Sequence, residues 1–394
     1  MITTIKVKSF KSIVDLSLEL GQLNVFVGAN GSGKSNLLEA IGVLSAAAEG
    51  RVNDQTLLQR GVRPGVPRLY KASFPRLRMP SHINFSGASA AAHYDVSLNN
   101  PLRDPRPSWR FKTELFERGN TRIASRSPNS RNNPNTYSGL AALELVRLKA
   151  NDPALDLMQR LQNFVIYSPT TPVLRGVAKE EQPRSPLGLS GGSLPEAVLS
   201  LLQSRSRSEE AKRICADARR IIGWAESFGV RSAASMPLSL AASTAPNVIR
   251  FVDRFMRTKA NELSGYDASE GALYVLFLAV IAGHRESPLF CSIDNADHGL
   301  NPALATELIK QFSSWILEAP GHHQVLMTSH NPAVLDGLPL QDDRVRLFAV
   351  DRNNHGHTTV RRVALDRRLL KFATNGWSLS RLWTNKLIGG MPNV

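Results

Sequence analysis

The sequence predicts an α/β fold in which a mixed sheet is flanked by helices, and three observations carry that prediction. A buried-type strand, Leu23-Asn24-Val25-Phe26-Val27, runs straight into the octet Gly28-Ala29-Asn30-Gly31-Ser32-Gly33-Lys34-Ser35. A helical stripe of Leu37, Leu38, Ile41 and Leu44 follows at once. Far along the chain, two apolar runs beginning at Leu289 and Val325 end on polar residues, Asp294 and His330. Short apolar runs of this kind are what strands look like when a parallel sheet is covered on both faces.

The elements follow in order. Ile2 to Phe10 alternates, and Ile13 to Leu20 alternates again with Gly21 as the turn, so residues 1–50 read strand, strand, loop, helix. From 51 to 135 the pattern breaks up around Pro64, Pro67, Pro75, Pro80, Pro101, Pro105 and Pro107. Readable strands remain at Tyr94 to Leu98 and Trp109 to Phe116, while the polar stretch Asn120 to Tyr137 predicts a loop. Helical periodicity returns at Leu140 to Lys149 and Leu155 to Gln162. After a Pro/Gly-rich piece from Ser168 to Gly192, it resumes at Leu194 to Gln203 and Glu209 to Trp224. No heptad repeat is sustained in this middle block, which excludes a long coiled coil. From Gly265 onward helix and buried strand alternate. The expected organisation is a nucleotide-binding core from 1–50 and 265–394, a β-rich and loop part over 51–135, and a mainly helical insertion over 136–264.

Composition narrows the function classes. The 394 residues, 42% of them hydrophobic, suffice for a large α/β domain with ample core. The longest apolar stretch, Ala272 to Ala282, is too short to span a bilayer and predicts a buried helix. With no signal-peptide core near Lys6, Lys8 and Lys11, a cytoplasmic location and no membrane partner are expected. Cys215 and Cys291 alone argue against a disulfide framework or a zinc module. Lys+Arg 48 against Asp+Glu 33 gives a net charge of +15, which favours a polyanionic partner, most simply nucleic acid.

The octet carries the chemistry. In the spacing Gly-x-x-x-x-Gly-Lys-Ser, glycines let backbone N–H groups curl around a phosphate, and the lysine reaches the β- and γ-phosphates. The Ser35 hydroxyl takes a position on Mg²⁺, and the phosphate sits on the positive end of the following helix. ATP with Mg²⁺ is the expected ligand, held by Asn30, Gly31, Ser32, Gly33, Lys34, Ser35 and Asn36. Opposite the metal such a site needs a strand that delivers a carboxylate, and Asp294 closes the run Leu289-Phe290-Cys291-Ser292-Ile293. His330, at the end of Val325-Leu326-Met327-Thr328-Ser329, is placed to touch a γ-phosphate.

These residues resemble an ABC-type ATPase head of the RecF/SMC/Rad50 and OLD clade, close to the short AAA15/AAA21 ATPases of bacterial anti-phage systems. Asp294 matches the end of the Walker B strand, Gly299-Leu300-Asn301-Pro302 the following D-loop, and Thr328-Ser329-His330 the switch histidine. Phe10-Lys11-Ser12-Ile13 resembles the family's opening strand, whose basic residue can reach a nucleotide phosphate. Leu379-Ser380-x-Leu382-Trp383 and Gly389-Gly390-Met391-Pro392-Asn393 resemble the tails of these small ATPases. The likeness covers 1–50 and 265–394 and leaves the middle unexplained. It implies that ATP closes between two protomers, with a signature motif supplied across the interface. Ser269-Glu270-Gly271 directly opens the apolar helix from Ala272, so Ser269 and Gly271 are read as that motif. Leu189-Ser190-Gly191-Gly192 has the familiar letters but lies far from Asp294, and is read as a Gly-rich turn.

One position departs from the family. Walker B normally ends Asp-Glu, with the glutamate polarising the attacking water, whereas here the pair is Asp294-Asn295. An amide orients a water but does not accept its proton at neutral pH. Slow hydrolysis is therefore expected, with Asp297 the nearest carboxylate that could substitute, although capping or structural pairing is its favoured role.

Basic residues group at Arg60, Arg63, Arg68, Lys71, Arg76 and Arg78, and again at Arg205, Arg207, Lys212, Arg213, Arg219 and Arg220. A third set comprises Arg361, Arg362, Arg367, Arg368 and Lys371. A surface that tracks nucleic acid is one reading of the first two, the second could equally be a solvated face paired with Glu209, Glu210 and Asp217, and the third could serve a partner. His322-His323 and His355-x-His357 lack the setting of a metal site. The expectation is a nucleotide-gated homodimeric sensor or clamp, working in anti-phage defence with a separately encoded effector, plausibly a nuclease or toxin. Alternatives are a DNA-stimulated repair or recombination ATPase and an ATP-locked assembly scaffold.

Overall fold

The computed structural model describes residues 1–75, 77–127, 135–205, 208–236, 238, 245–319, 321–365 and 376–390. Strands β1 (Thr4–Phe10) and β2 (Ile13–Glu19) pair as an antiparallel hairpin whose alternation buries Ile5, Val7, Leu16 and Leu18. Strand β3 (Leu23–Val27) is buried throughout and ends at the loop that opens helix α1 (Lys34–Glu49). Strands β4 (Ile83–Ala88), β5 (Ala92–Asn99), β6 (Arg110–Arg118) and β7 (Thr121–Arg126) extend the hairpin into a six-stranded sheet of order β2-β1-β4-β5-β6-β7. The β7 stretch corrects the expected loop: 121–126 pairs with β6, and Arg126 is buried beside Glu114 at 3.8 Å. Residues 128–134 of that stretch lie outside the described residues.

The middle of the chain supplies helix α2 (Pro153–Gln162), strand β8 (Ile166–Tyr167), helix α3 (Leu194–Ser204) and helix α4 (Glu209–Ile222). Strands β9 (Ala225–Ser232), β10 (Asn247–Asp253) and β11 (Glu262–Ser264) then make a small antiparallel sheet that the sequence had not revealed. Helix α5 (Glu270–Gly283), strand β12 (Phe290–Ile293), helix α6 (Pro302–Glu318) and strands β13 (Gln324–Ser329), β14 (Val345–Arg352) and β15 (Thr358–Val363) complete the head.

The central sheet runs β15-β14-β3-β13-β12-β8. Its strands are parallel except β15, which is antiparallel to β14, so the sheet is mixed. It draws β8 from the middle of the chain as well as strands from both ends. Side-chain alternation along β3 feeds two cores: Leu23, Val25 and Val27 face one containing α3 to α6, and Phe26 faces one containing α1, α2 and the antiparallel sheet. Phe26 stacks on Phe348 at 4.9 Å. Helix α5 is buried from Gly271 to Ala282, which explains why its sequence is apolar all round. Among the described residues the longest helix has 17 residues, and no helix is long and apolar enough to cross a membrane.

Candidate phosphate-binding site

Strand order builds the site. Because β13 lies between β3 and β12, the carboxyl ends of these three parallel strands are neighbours, and there the chain places Gly28, Asp294 and His330. Ligand crevices of open α/β sheets lie at such strand ends.

The loop between β3 and α1 has Gly31 at φ +76° and Gly33 at φ +110°, conformations that suit glycine. A Cβ on Gly33 would stand 2.1 Å from Thr358 Oγ1. Thr358 donates to the Ser32 carbonyl at 2.8 Å, and Asn36 Nδ2 donates to Ser12 Oγ at 2.7 Å. The loop is thus braced by the β1–β2 turn and by β15. Lys34 Nζ curls back to donate to the carbonyls of Gly28 (2.8 Å) and Ala29 (3.0 Å). Burial pushes its ammonium down to about 8, partly offset by Asp294 and Asp297.

Ser35 Oγ donates to Asp294 Oδ2 at 3.0 Å, while Thr328 Oγ1 donates to Asp294 Oδ1 at 2.5 Å. The same threonine oxygen accepts the Asn295 N–H at 2.8 Å. Asn295 is exposed at φ +54°, a left-handed conformation that asparagine tolerates better than most residues. His330 Nδ1 stands 3.5 Å from Lys34 Nζ. Desolvation and the Lys34 charge hold the imidazole below the usual histidine range. Both Asp297 carboxylate oxygens lie 3.3 Å from the His330 backbone nitrogen, so Asp297 ties the segment that follows β12 to the histidine loop.

Other expected residues make their contacts elsewhere. The Lys11 ammonium is paired with the buried Glu39 of α1, which also holds Arg63. It lies over the Tyr70 ring at 5.0 Å. Ser269 caps α5, its hydroxyl accepting the Ala272 N–H at 3.4 Å. Gly271 is packed so closely that an added Cβ would be 2.6 Å from Leu304 Cδ2 of α6. Between them Glu270 is held by Thr171 and stands 3.5 Å from His298 Nδ1 of the D-loop. The turn at 189–192 wraps a carboxylate: the N–H groups of Ser190 and Gly192 donate to Glu180 at 2.9 and 3.1 Å.

Sequence reading placed Thr328 and Ser12 in motifs without giving either a role, and missed Thr358 and Glu39. Thr328 had one signal, its place just before Ser329-His330; the others act through contacts between distant segments. The first basic group is thinned, with Arg68 and Arg78 still exposed. Arg60 is buried against Ser45 and Glu49, and Lys71 is buried on the carbonyls of Ser81 and Asn100. In the second, Arg213 pairs with Glu318 and Arg220 with Glu307. Arg76, Arg207, Arg367, Arg368 and Lys371 lie outside the described residues.

The residues present fit a magnesium triphosphate. Ser35 and Asp294 offer the hard oxygen donors Mg²⁺ takes, and Lys34 offers a cation. Ser32 Oγ is a buried hydroxyl without a partner among the described residues. A glycine loop, a buried lysine, and a serine–aspartate pair at adjoining strand ends define a P-loop nucleotide-binding head. The family model described as "AAA domain, putative AbiEii toxin, Type IV TA system" matches residues 23–336, most of the chain, and the protein belongs to that AAA_21 family. It is similar to ABC-type ATPases of the RecF/SMC clade.

Among curated relatives, the DNA replication and repair protein RecF of Renibacterium salmoninarum is 34% identical over 120 residues, 30% of this chain and 29% of that protein. The RecF protein of Clavibacter michiganensis subsp. michiganensis is 36% identical over 110 residues, 27% of this chain and 26% of that protein. The matches thus span less than a third of those relatives. Among solved structures, an SMC head bound to the C-winged helix domain of ScpA superposes with TM-score 0.52 at 13% identity, covering 93% of this chain and 99% of that one. An Smc head from Pyrococcus furiosus, with an extended coiled coil and bound to the C-terminal domain of ScpA, gives TM-score 0.51 at 11% identity, covering 95% and 99%. At such identities the likeness is one of fold.

Proposed function

We propose that this protein binds Mg-ATP at Gly28–Ser35, hydrolyses it slowly, and closes as an ATP-sandwiched homodimer that acts as a nucleotide-gated sensor or clamp. The observation that carries the reading is the convergence of Ser35, Asp294, Lys34 and His330, with Ser35 Oγ 3.0 Å from Asp294 and Lys34 Nζ 3.5 Å from His330. Backbone groups of Asn30, Gly31, Ser32, Gly33 and Asn36 cradle the phosphates, and Lys34 neutralises them. Ser35 and Asp294 hold Mg²⁺, whose contribution is to neutralise charge on the β- and γ-oxygens. Lys34 sits on the Nδ1 side of His330, which leaves Nε2–H as the donor toward a γ-phosphate oxygen. Lys11 joins the phosphates only by exchanging its pair with Glu39. Across the dimer, Ser269 and Gly271 present the N-terminus of α5 to the partner's nucleotide.

Asn295 orients water without taking its proton, and Asp297 acts by positioning the His330 loop. Both features favour a long-lived bound state. Membership of a family described as an AAA domain and putative AbiEii toxin of a type IV toxin–antitoxin system is in keeping with a role in anti-phage defence, and the separately encoded nuclease or toxin is part of the proposal itself. The RecF relatives and the +15 charge favour a second reading, a repair or recombination ATPase stimulated by DNA. Asn295 also permits a third, an ATP-locked scaffold with little turnover.

The test is steady-state ATP turnover with and without DNA, using Lys34→Ala as the blank, beside a direct ATP-binding titration. Binding with slow, DNA-indifferent turnover supports the sensor. Turnover raised severalfold by DNA moves the assignment to the second reading. Equal ATP binding by the wild type and Lys34→Ala would end the phosphate-loop reading.

A further inference from the structure

Residues 376–390 take no part in the site described above, and the family model that matches 23–336 stops short of them. They are nevertheless fastened to it at both ends. A short helix, Leu379–Thr384, begins beside Asp336, whose carboxylate accepts the Ser380 N–H at 2.9 Å and the Ser380 hydroxyl at 2.6 Å. Asp336 closes the helical turn Ala333–Asp336 that follows His330. Leu382, Trp383 and Ile388 are buried in the core that holds α3 to α6. Arg361 of β15 then donates to the Ile388 carbonyl at 2.7 Å.

The far end reaches the phosphate loop itself. Gly389 at φ +81° and Gly390 at φ +78° are both left-handed, a conformation that suits glycine. The Gly390 N–H donates to the two Asp351 oxygens of β14 at 2.9 and 3.1 Å. A Cβ on Gly390 would lie 3.0 Å from the Val27 carbonyl oxygen and 3.4 Å from Gly28 Cα. Gly28 is packed as closely against β14, since a Cβ there would lie 2.3 Å from the Val350 carbonyl oxygen. The first residue of the loop is therefore held by β14 and by the glycine pair. Its carbonyl is also one that Lys34 Nζ bonds, at 2.8 Å, so whatever fixes Gly28 fixes the lysine.

We propose that residues 376–390 form a strap that positions the phosphate loop, with Gly390 and Asp351 as positioning residues, so that strap docking and phosphate binding reinforce each other. This rests on the Mg-ATP reading of the same site. A loop already held in its binding arrangement loses less freedom when the phosphates arrive, which raises affinity without a new contact to the ligand. The coupling is reciprocal, so bound phosphate tightens the strap in turn.

The experiment titrates wild type, Gly390→Val, Asp351→Leu and Asp351→Asn with Mg-ATP and with inorganic tripolyphosphate plus Mg²⁺, by calorimetry. Thermal melts confirm that each variant is folded at the titration temperature. We expect Gly390→Val and Asp351→Leu to weaken both ligands equally, by about tenfold, within the usual span of coupling between sites. Asp351→Asn keeps an oxygen for the Gly390 N–H and retains wild-type affinity. In the wild type, Mg-ATP should slow hydrogen exchange across 376–390, a readout that needs no variant. Folded Gly390→Val and Asp351→Leu proteins that bind both ligands as the wild type does would overturn the proposal, leaving the strap a matter of stability alone. So would strap exchange that Mg-ATP leaves unchanged, even if the two variants fail to fold. A wild type that binds neither ligand would sink the phosphate-loop reading first, and this inference with it.

Discussion

Asn295 stands where the resemblance implies a glutamate, and in the proposed mechanism the consequence is a rate. If the missing carboxylate sets the slow step, Asn295→Glu should raise steady-state turnover about a hundredfold, the lower range of general-base assistance. An unchanged rate would mean that another step limits. Asp297 has a different task, because its oxygens accept the His330 N–H. Asp297→Ala is expected to lower turnover about tenfold, equivalent to losing one charge-assisted hydrogen bond. ATP affinity should stay within about twofold on the same basis, and a matching loss of affinity would refute a positioning role. Sequence showed Lys34, Ser35, Asp294 and His330 directly, since each sits in a spaced motif. Thr328 and Glu39 have no such spacing, and their meaning comes from the atoms they meet.

Elements are held in register by a few buried polar groups. Glu114 of β6 accepts the N–H groups of Leu140 and Ala141 and the Tyr94 hydroxyl, and it is the buried partner of Arg126 on β7. Desolvation raises its carboxyl above the usual glutamate range. Glu114→Ala strands Arg126 without a counter-charge and should cost about 3 kcal/mol. The expected reading is a lower urea midpoint with the same slope. The joint between α5 and α6 is tight at Gly271, where a Cβ would lie 2.6 Å from Leu304 Cδ2. Gly271→Val should therefore cost about 1–3 kcal/mol by overpacking. Thermal melts of this variant would test the contact even if no signature role exists. Periodicity identified α1, α2, α3 and α4, and an unbroken apolar run identified α5. It failed for β7 and for the β9–β11 sheet, where polar, half-exposed residues earn their strand geometry from neighbouring strands.

At the scale of the whole molecule, two buried histidines couple stability to pH. Desolvation lowers both His284 and His323; Glu286 partly offsets this at His284, where Arg285 adds to it, and Arg160 adds to it at His323. Their folded values lie below their unfolded ones, so the unfolded chain takes up protons first on acidification. The stability they contribute is present above about pH 6.5 and is lost as pH falls through the folded values. The melting temperature should fall between pH 7 and pH 5, and a His284→Asn/His323→Asn variant should show a flatter profile. A wild-type profile that is flat over that interval would refute the linkage.

The sequence by itself determined the class of fold, the phosphate loop and the carboxylate and histidine that face it. Those features depend on local spacing: glycines where the backbone must turn left-handed, apolar runs where strands are covered on both sides, a lysine at the start of a helix. Tertiary structure decided what the spacing could not. It set the order β15-β14-β3-β13-β12-β8, which brings three strand ends to one crevice. It diverted Lys11 to Glu39, buried Arg60 and Lys71 out of an apparent basic patch, and set Phe74 against His357. Each of these depends on where a distant segment packs, because a charge or a ring acts on whatever lies within a few ångströms of it, however far away in the chain.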